Sequence, residues 1–130
     1  MKIKLTSVFV DNQEKALQFY TEILGFVKKA EYPFGKFRWL TVVAPEEPDG
    51  PELLLEPNAN PATRTFQKAL FTQGIPATSF IVADIQKEFA RMKALGVVWR
   101  QEPIQAGSTI VAIFEDTCGN LIQIVQYSIP

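Results

Sequence analysis

Residues 3–10 gather Ile3, Leu5, Val8, Phe9 and Val10 ahead of the polar pair Asp11-Asn12, a β-branched and aromatic run that predicts a strand. The period then changes: Ala16, Phe19, Tyr20, Ile23 and Leu24 recur at helical spacing and form one apolar face. Asp11 reads as the N-cap of this helix, with Glu14 in capping-box spacing, and Gly25 as the residue that closes it. Three further strands are predicted. Residues 26–32 turn near Pro33-Phe34-Gly35, residues 36–44 run into a Pro/Glu/Asp/Gly loop, and residues 52–56 form a short Leu-rich strand.

The stretch Pro57-Asn58-Ala59-Asn60-Pro61 breaks the pattern, and Asn60-Pro61 has the character of a helix start. A short helix is expected over residues 63–72, ended by Gly74-Ile75-Pro76. The first pattern then returns. Residues 77–82 predict a strand, and Asp84 caps a helix with Ile85, Phe89, Met92 and Leu95 inward and Gly96 as its stop. Strands follow at residues 97–101, 109–115 and 121–127, the last two joined by the turn Asp116-Thr117-Cys118-Gly119-Asn120. The order is βαβββ, linker, βαβββ, and the sequence echoes it. Ser7-Val8-Phe9-Val10 parallels Ser79-Phe80-Ile81-Val82, and Leu24-Gly25-Phe26-Val27 parallels Leu95-Gly96-Val97-Val98. We expect an α+β chain forming one domain over residues 1–130, with modules at about 3–57 and 77–127 and an outer linker at about 58–76.

Composition narrows the chemistry. A length of 130 residues and 47% hydrophobic content suit one domain with a real core. Thirteen basic residues, scattered among fourteen acidic ones, argue against nucleic acid as a partner. No apolar run reaches membrane-span length, and the first residues lack a signal peptide's apolar stretch. One cysteine excludes an internal disulfide and fits a reducing, cytoplasmic compartment. The absence of histidine removes Ser-His-Asp and Cys-His catalysis and every His-based metal site. There is no phosphate-binding glycine loop, dinucleotide fingerprint or CxxC pair.

The runs Val8-Phe9-Val10-Asp11, Lys15-Ala16-Leu17-Gln18-Phe19-Tyr20 and Leu24-Gly25-Phe26 carry a wider likeness, together with Glu52-Leu53-Leu54-Leu55-Glu56 and Asp116-Thr117-Cys118-Gly119-Asn120 before Leu121-Ile122-Gln123-Ile124. In these segments the chain resembles the vicinal oxygen chelate superfamily of glyoxalase I, extradiol dioxygenases, fosfomycin-resistance enzymes and bleomycin-resistance binding proteins. The resemblance implies two βαβββ modules whose curled, mixed sheets enclose a cleft, with helices outside, and commonly a homodimer. In metal-dependent relatives, four inward-facing residues from the first and fourth strands of each module hold one divalent ion. Alignment on the flanking motifs puts those positions at Leu5, Leu54, Ala77 and Gln123. A slip of two in the Leu-rich strand would offer Glu52 or Glu56, which still leaves one carboxylate and one amide opposite Leu5 and Ala77. The implied member is metal-depleted and needs no cofactor.

Strand alternation predicts that Leu5, Ser7 and Phe9 share one face, as do Ala77, Ser79 and Ile81, as do Glu52, Leu54 and Glu56, and as do Leu121, Gln123, Val125 and Tyr127. The expected cleft is apolar with a few polar groups, as small-molecule pockets are. Gln123 would hydrogen-bond a ligand, and Glu52 or Glu56 would bind a cation or serve as a base. Arg38-Trp39 pairs a guanidinium with an indole, suited to an anionic or planar ligand, and Trp99-Arg100 repeats that chemistry. Tyr32, Phe34 and Phe37 around Gly35 suggest an aromatic rim. Cys118, without a base, reads as an ordinary thiol. Three activities fit: a metal-free binder of a small organic molecule; a glyoxalase-like lyase, isomerase or dioxygenase with an atypical donor set; and metal-free catalysis with Glu52 or Glu56 as base and Arg38 as electrophile.

Overall fold

The changes of period along the chain become eight strands and three α-helices among the described residues, 1–127, of the computed structural model. The chain divides after Thr65 into two units. The first contains β1 (Leu5–Val10), α1 (Gln13–Gln18) with a π-helical continuation over Phe19–Ile23, β2 (Val27–Phe34), β3 (Phe37–Val43) and β4 (Glu52–Pro57). Its sheet has the order β1-β4-β3-β2, with β1 parallel to β4 and the other pairs antiparallel. Helix α2 (Pro61–Gln73) runs across the boundary. The second unit contains β5 (Thr78–Ile81), α3 (Ile85–Ala94), β6 (Trp99–Ala106), β7 (Thr109–Glu115) and β8 (Leu121–Tyr127), in sheet order β5-β8-β7-β6. Again the first strand is parallel to the last. Each unit is thus the expected βαβββ module with a mixed sheet.

Local chemistry sets the helix ends. The α1 cap is Asn12, not Asp11: Asn12 Oδ1 accepts from the Lys15 N–H at 2.9 Å, whereas Asp11 pairs with the Lys15 ammonium at 3.2 Å. The helix starts at Gln13, so only Asn12 lies three residues before the N–H that needs an acceptor. Asp84 caps α3 as expected, accepting from the Lys87 N–H at 3.1 Å. Gly25 and Gly96 close their modules' first helices at φ 89° and 88°, a left-handed conformation that favours glycine. Leu95 does not face inward; α3 ends at Ala94, and Leu95, its C-cap, is 52% exposed. β6 extends to Ala106, past the predicted 101, with its ladder shifting register between Gln101 and Ile104 around Pro103.

Each sheet buries one face. In the first unit Val8, Val10, Leu40, Val42 and Leu55 are buried, along with Ala16 and Tyr20 of the helical segment. In the second, Ala112, Phe114, Ile122 and Ile124 are buried with Ile85 and Met92 of α3. The β7–β8 turn is held by buried Asp116: Oδ1 accepts from the Cys118 and Asn120 N–H groups at 2.8 and 3.0 Å, and Oδ2 from Asn120 Nδ2 at 2.8 Å. Gln67 of α2 donates to the Cys118 carbonyl and to Asn120 Oδ1, at 3.2 and 3.1 Å. Among the described residues no helix is long and apolar enough to cross a membrane.

Candidate functional site

The other face of each sheet carries the candidate chemistry; it is covered at Thr41, Leu54 and Leu121 and exposed at Leu5 and Ile81. In the first unit the register pairs Leu5 with Glu52, Ser7 with Leu54 and Phe9 with Glu56. Residues opposite each other in a ladder point to one side, so all six share this open face. Thr41 joins them opposite Leu54, as does Ala30 opposite Thr41, and Trp39 pairs with Tyr32. Leu5 is 45% exposed and Leu54 buried. Thr41 donates its hydroxyl to Glu52 Oε1 at 2.7 Å. Trp39 stacks on Tyr32 with ring centres 6.3 Å apart and planes 17° from parallel, and Phe34 leans on it at 5.9 Å. Of the aromatic rim suggested by the sequence, Tyr32 and Phe34 therefore cluster on Trp39, while Phe37 has the Lys36 ammonium over its ring. Thr41, which holds Glu52, was not among the sequence candidates; its place two residues beyond Trp39 in the same strand is the signal that finds it.

Arg38 lies apart from Trp39. Neighbours in a strand point to opposite faces, and the Arg38 guanidinium meets Glu14 of α1 at 3.0 Å and Glu31 of β2 at 2.5 Å. The suggested guanidinium–indole pair is thus divided between the two faces, with Arg38 engaged by two carboxylates. Burial works against the charged guanidinium, but Glu14 and Glu31 outweigh it and raise its pKa. Glu31 is lowered, by its bond to Lys28 first and to Arg38 next. Trp99 and Arg100 divide in the same way. Trp99 packs edge-on against Phe89 and Phe114, while Arg100 bonds Glu115 at 2.8 Å and lies over the Phe71 ring.

In the second unit Ser79 pairs with Gln123, Ile81 with Val125, and Ile113 with Gln123. The open face there carries Ala77, Ser79, Ile81, Gln123 and Val125, with Ile81 70% exposed. Ser79 donates to Gln123 Oε1 at 2.8 Å, so the amide that interrupts this apolar strand is held by its neighbour.

The sequence profile of the Glyoxalase/Bleomycin resistance protein/Dioxygenase superfamily matches residues 2–124. The chain belongs to this superfamily. The uncharacterized protein YurT of Bacillus subtilis is 59% identical over 126 residues, covering 97% of this chain and 99% of YurT. A lactoylglutathione lyase of Neisseria meningitidis is 29% identical, over 97% of this chain and 91% of its own length. Among solved structures, TnmS3, an antibiotic binding protein from Streptomyces sp. CB03234, superposes with a TM-score of 0.79 at 28% identity, covering 98% of this chain and 97% of its own.

At the four positions that the resemblance assigns to metal ligands, the chain carries Leu5, Leu54, Ala77 and Gln123. The ladder sets Glu52 opposite Leu5 and Leu54 opposite Ser7, so a slip of two would add one carboxylate to this set. Three of the four side chains have no donor atom, and the fourth is a neutral amide already bonded through oxygen to Ser79. These residues do not fit a divalent transition ion, which takes several N, O or S donors in defined geometry. Among the described residues no group of three or more Cys, Asp or Glu side chains is arranged to hold a metal.

Proposed function

We propose that this superfamily member binds a small organic molecule on the open faces of its sheets, as a homodimer and without a transition metal. The observation that carries this reading is the character of those faces. In the first unit Leu5, Phe9 and Leu54 provide apolar area, with Ser7, Glu52 and Glu56 as orienting polar groups; in the second, Ala77, Ile81 and Val125 do so, with Ser79 and Gln123. At roughly 25 cal/mol per Å², covering about 200 Å² of apolar surface contributes about 5 kcal/mol before association costs. The likeness to TnmS3, an antibiotic binding protein, supports a binding role. The likeness to a lactoylglutathione lyase favours the second reading, a metal-dependent glyoxalase-like lyase or dioxygenase with an atypical donor set.

Elemental analysis of the purified protein, followed by thermal-shift screening of aromatic and aliphatic compounds with and without EDTA, separates the two. A ligand that binds the folded state raises its melting temperature by mass action. The binding reading expects organic compounds to stabilise the protein equally in EDTA. Stoichiometric zinc, nickel, manganese or iron, or an activity lost on chelation and restored by metal, would overturn it.

A further inference from the structure

The open face of the first unit is unevenly charged. Its strands place two carboxylates there, Glu52 and Glu56, while the basic side chains of β2 and β3 are engaged elsewhere: Arg38 is turned to Glu14 and Glu31, Lys28 lies opposite Val42 on the other face, and Lys29 bonds Asp49 and the Pro48 carbonyl. Lys4, just before β1, reaches instead to the Asp49 and Gly50 carbonyls. Glu52 has Oε1 on the Thr41 hydroxyl. Glu56 is half-buried and has no hydrogen bond or ion pair among the described residues. The β3–β4 ladder ends at the Thr41–Leu54 pair, and beyond it the Gln13 amide bridges the Arg38 and Leu55 carbonyls, so that Trp39 and Glu56 each follow a bridged residue on neighbouring strands. Glu56 also stands directly opposite Phe9. A partly desolvated carboxylate therefore lies on the strand beside an aromatic cluster whose outer rings, Tyr32 and Phe34, are 52% and 64% exposed.

Aromatic faces and carboxylates attract the same partner, a cation, and the attraction grows as water is excluded. One ammonium already uses this property at the hairpin tip, where Lys36 Nζ stands 5.6 Å from the centre of the Phe37 ring. We infer that this face takes a planar aromatic ligand carrying a positive charge, stacked in the Trp39 cluster with its cationic group toward Glu56. An anionic ligand of the same shape would meet the like charges of Glu52 and Glu56, with Lys36 already engaged on the Phe37 ring. The inference rests on the binding role proposed above and adds the charge and shape of the ligand.

The test is calorimetric titration of the full chain with three probes of one shape at mildly alkaline pH: 9-aminoacridine, a cation; acridine, neutral; and anthracene-9-carboxylate, an anion. The expected order of affinity follows charge, with the cation bound about tenfold more tightly than the neutral ring and the anion weakest. Glu56→Gln, which keeps shape and polarity, should bring 9-aminoacridine down to the level of acridine and leave acridine unchanged. Trp39→Leu should weaken all three. Equal affinity for the cation and the neutral ring, or a charge preference that survives Glu56→Gln, would overturn the inference while leaving the binding role intact. If none of the three binds but the thermal-shift screen finds other organic ligands, the inference fails alone; if the screen also finds none, both fail.

Discussion

The side-chain amide of Gln13 meets the backbone of Arg38 twice: Oε1 accepts from the Arg38 N–H at 3.1 Å, and Nε2 donates to the Arg38 carbonyl at 2.7 Å. Nε2 also donates to the Leu55 carbonyl at 3.0 Å. The β3–β4 ladder runs through Thr41–Leu54 and Val42–Leu53, and beyond it one side chain from α1 takes the place of the missing rungs. Gln13→Leu removes all three bonds and leaves partly buried backbone groups unsatisfied, so it should cost about 2 kcal/mol. Chemical denaturation checks this as a lower midpoint with an unchanged slope. Since β3 carries Trp39, the variant should also bind aromatic probes more weakly.

Glu31 gives the protein a specific acid response. Its carboxyl is held below the usual range by Lys28 and Arg38. A lowered folded-state pKa adds stability that is present above the unfolded value and is lost as pH falls through the folded one. That window lies from the ordinary glutamate range, near 4.5, downward. Carbon-detected NMR titration should show Glu31 titrating below an unperturbed glutamate, and Lys28→Met should move it back up. A Glu31 titration that ignores both Lys28→Met and Arg38→Met would contradict this account.

Asp116 holds the β7–β8 turn through three buried hydrogen bonds. Asp116→Ala takes the acceptor from two buried N–H groups and from the Asn120 amide, with an expected loss of about 2–4 kcal/mol. Gln67→Leu should cost less, about 1–2 kcal/mol, because it leaves the turn's own bonds intact. Thermal or urea unfolding of the two variants gives the ranking directly.

Leu5→Glu and Ala77→Asp place carboxylates on exposed positions of the open faces. Both should fold with stability within about 0.5 kcal/mol of the parent, as exposed substitutions usually do. Each should weaken binding of a neutral aromatic probe such as acridine by calorimetry. Unchanged affinity in both variants would remove these faces from the ligand site.

Light scattering across a concentration series should return twice the 14.6 kDa chain mass, as expected of a homodimer. A mass that stays at one chain would refute the dimer.

Much of this was legible along the chain because it is local or periodic. Alternation separated Val8 and Val10 from Leu5 and Ser7, and the Leu-Gly pairs marked both helix ends at Gly25 and Gly96. The same alternation, applied to Arg38-Trp39, assigns the two residues to opposite faces; reading them as adjacent in sequence joined what the pleat divides. Asp11 and Asn12 are comparable caps by residue type, and only the start of the helix at Gln13 decides between them. The Gln13 bridge and the Gln67–Asn120 bond were not legible, because each partner lies far along the chain and an amide's preference for it has no period.

The parallel pairing of β1 with β4 also sets an order in time. Leu5 emerges from synthesis first, yet its partner Glu52 belongs to the unit's last strand, while β2 and β3 meet through a hairpin turn. Contacts close in sequence form sooner than those that must close a long loop. The three antiparallel strands therefore assemble before their edge is sealed, and pulse-labelled hydrogen exchange should protect β3 before β1. The second unit repeats the arrangement, with Ser79 waiting for Gln123. Until β1 or β5 docks, each module has a bare edge on β4 or β8, a template for pairing with another unfinished chain.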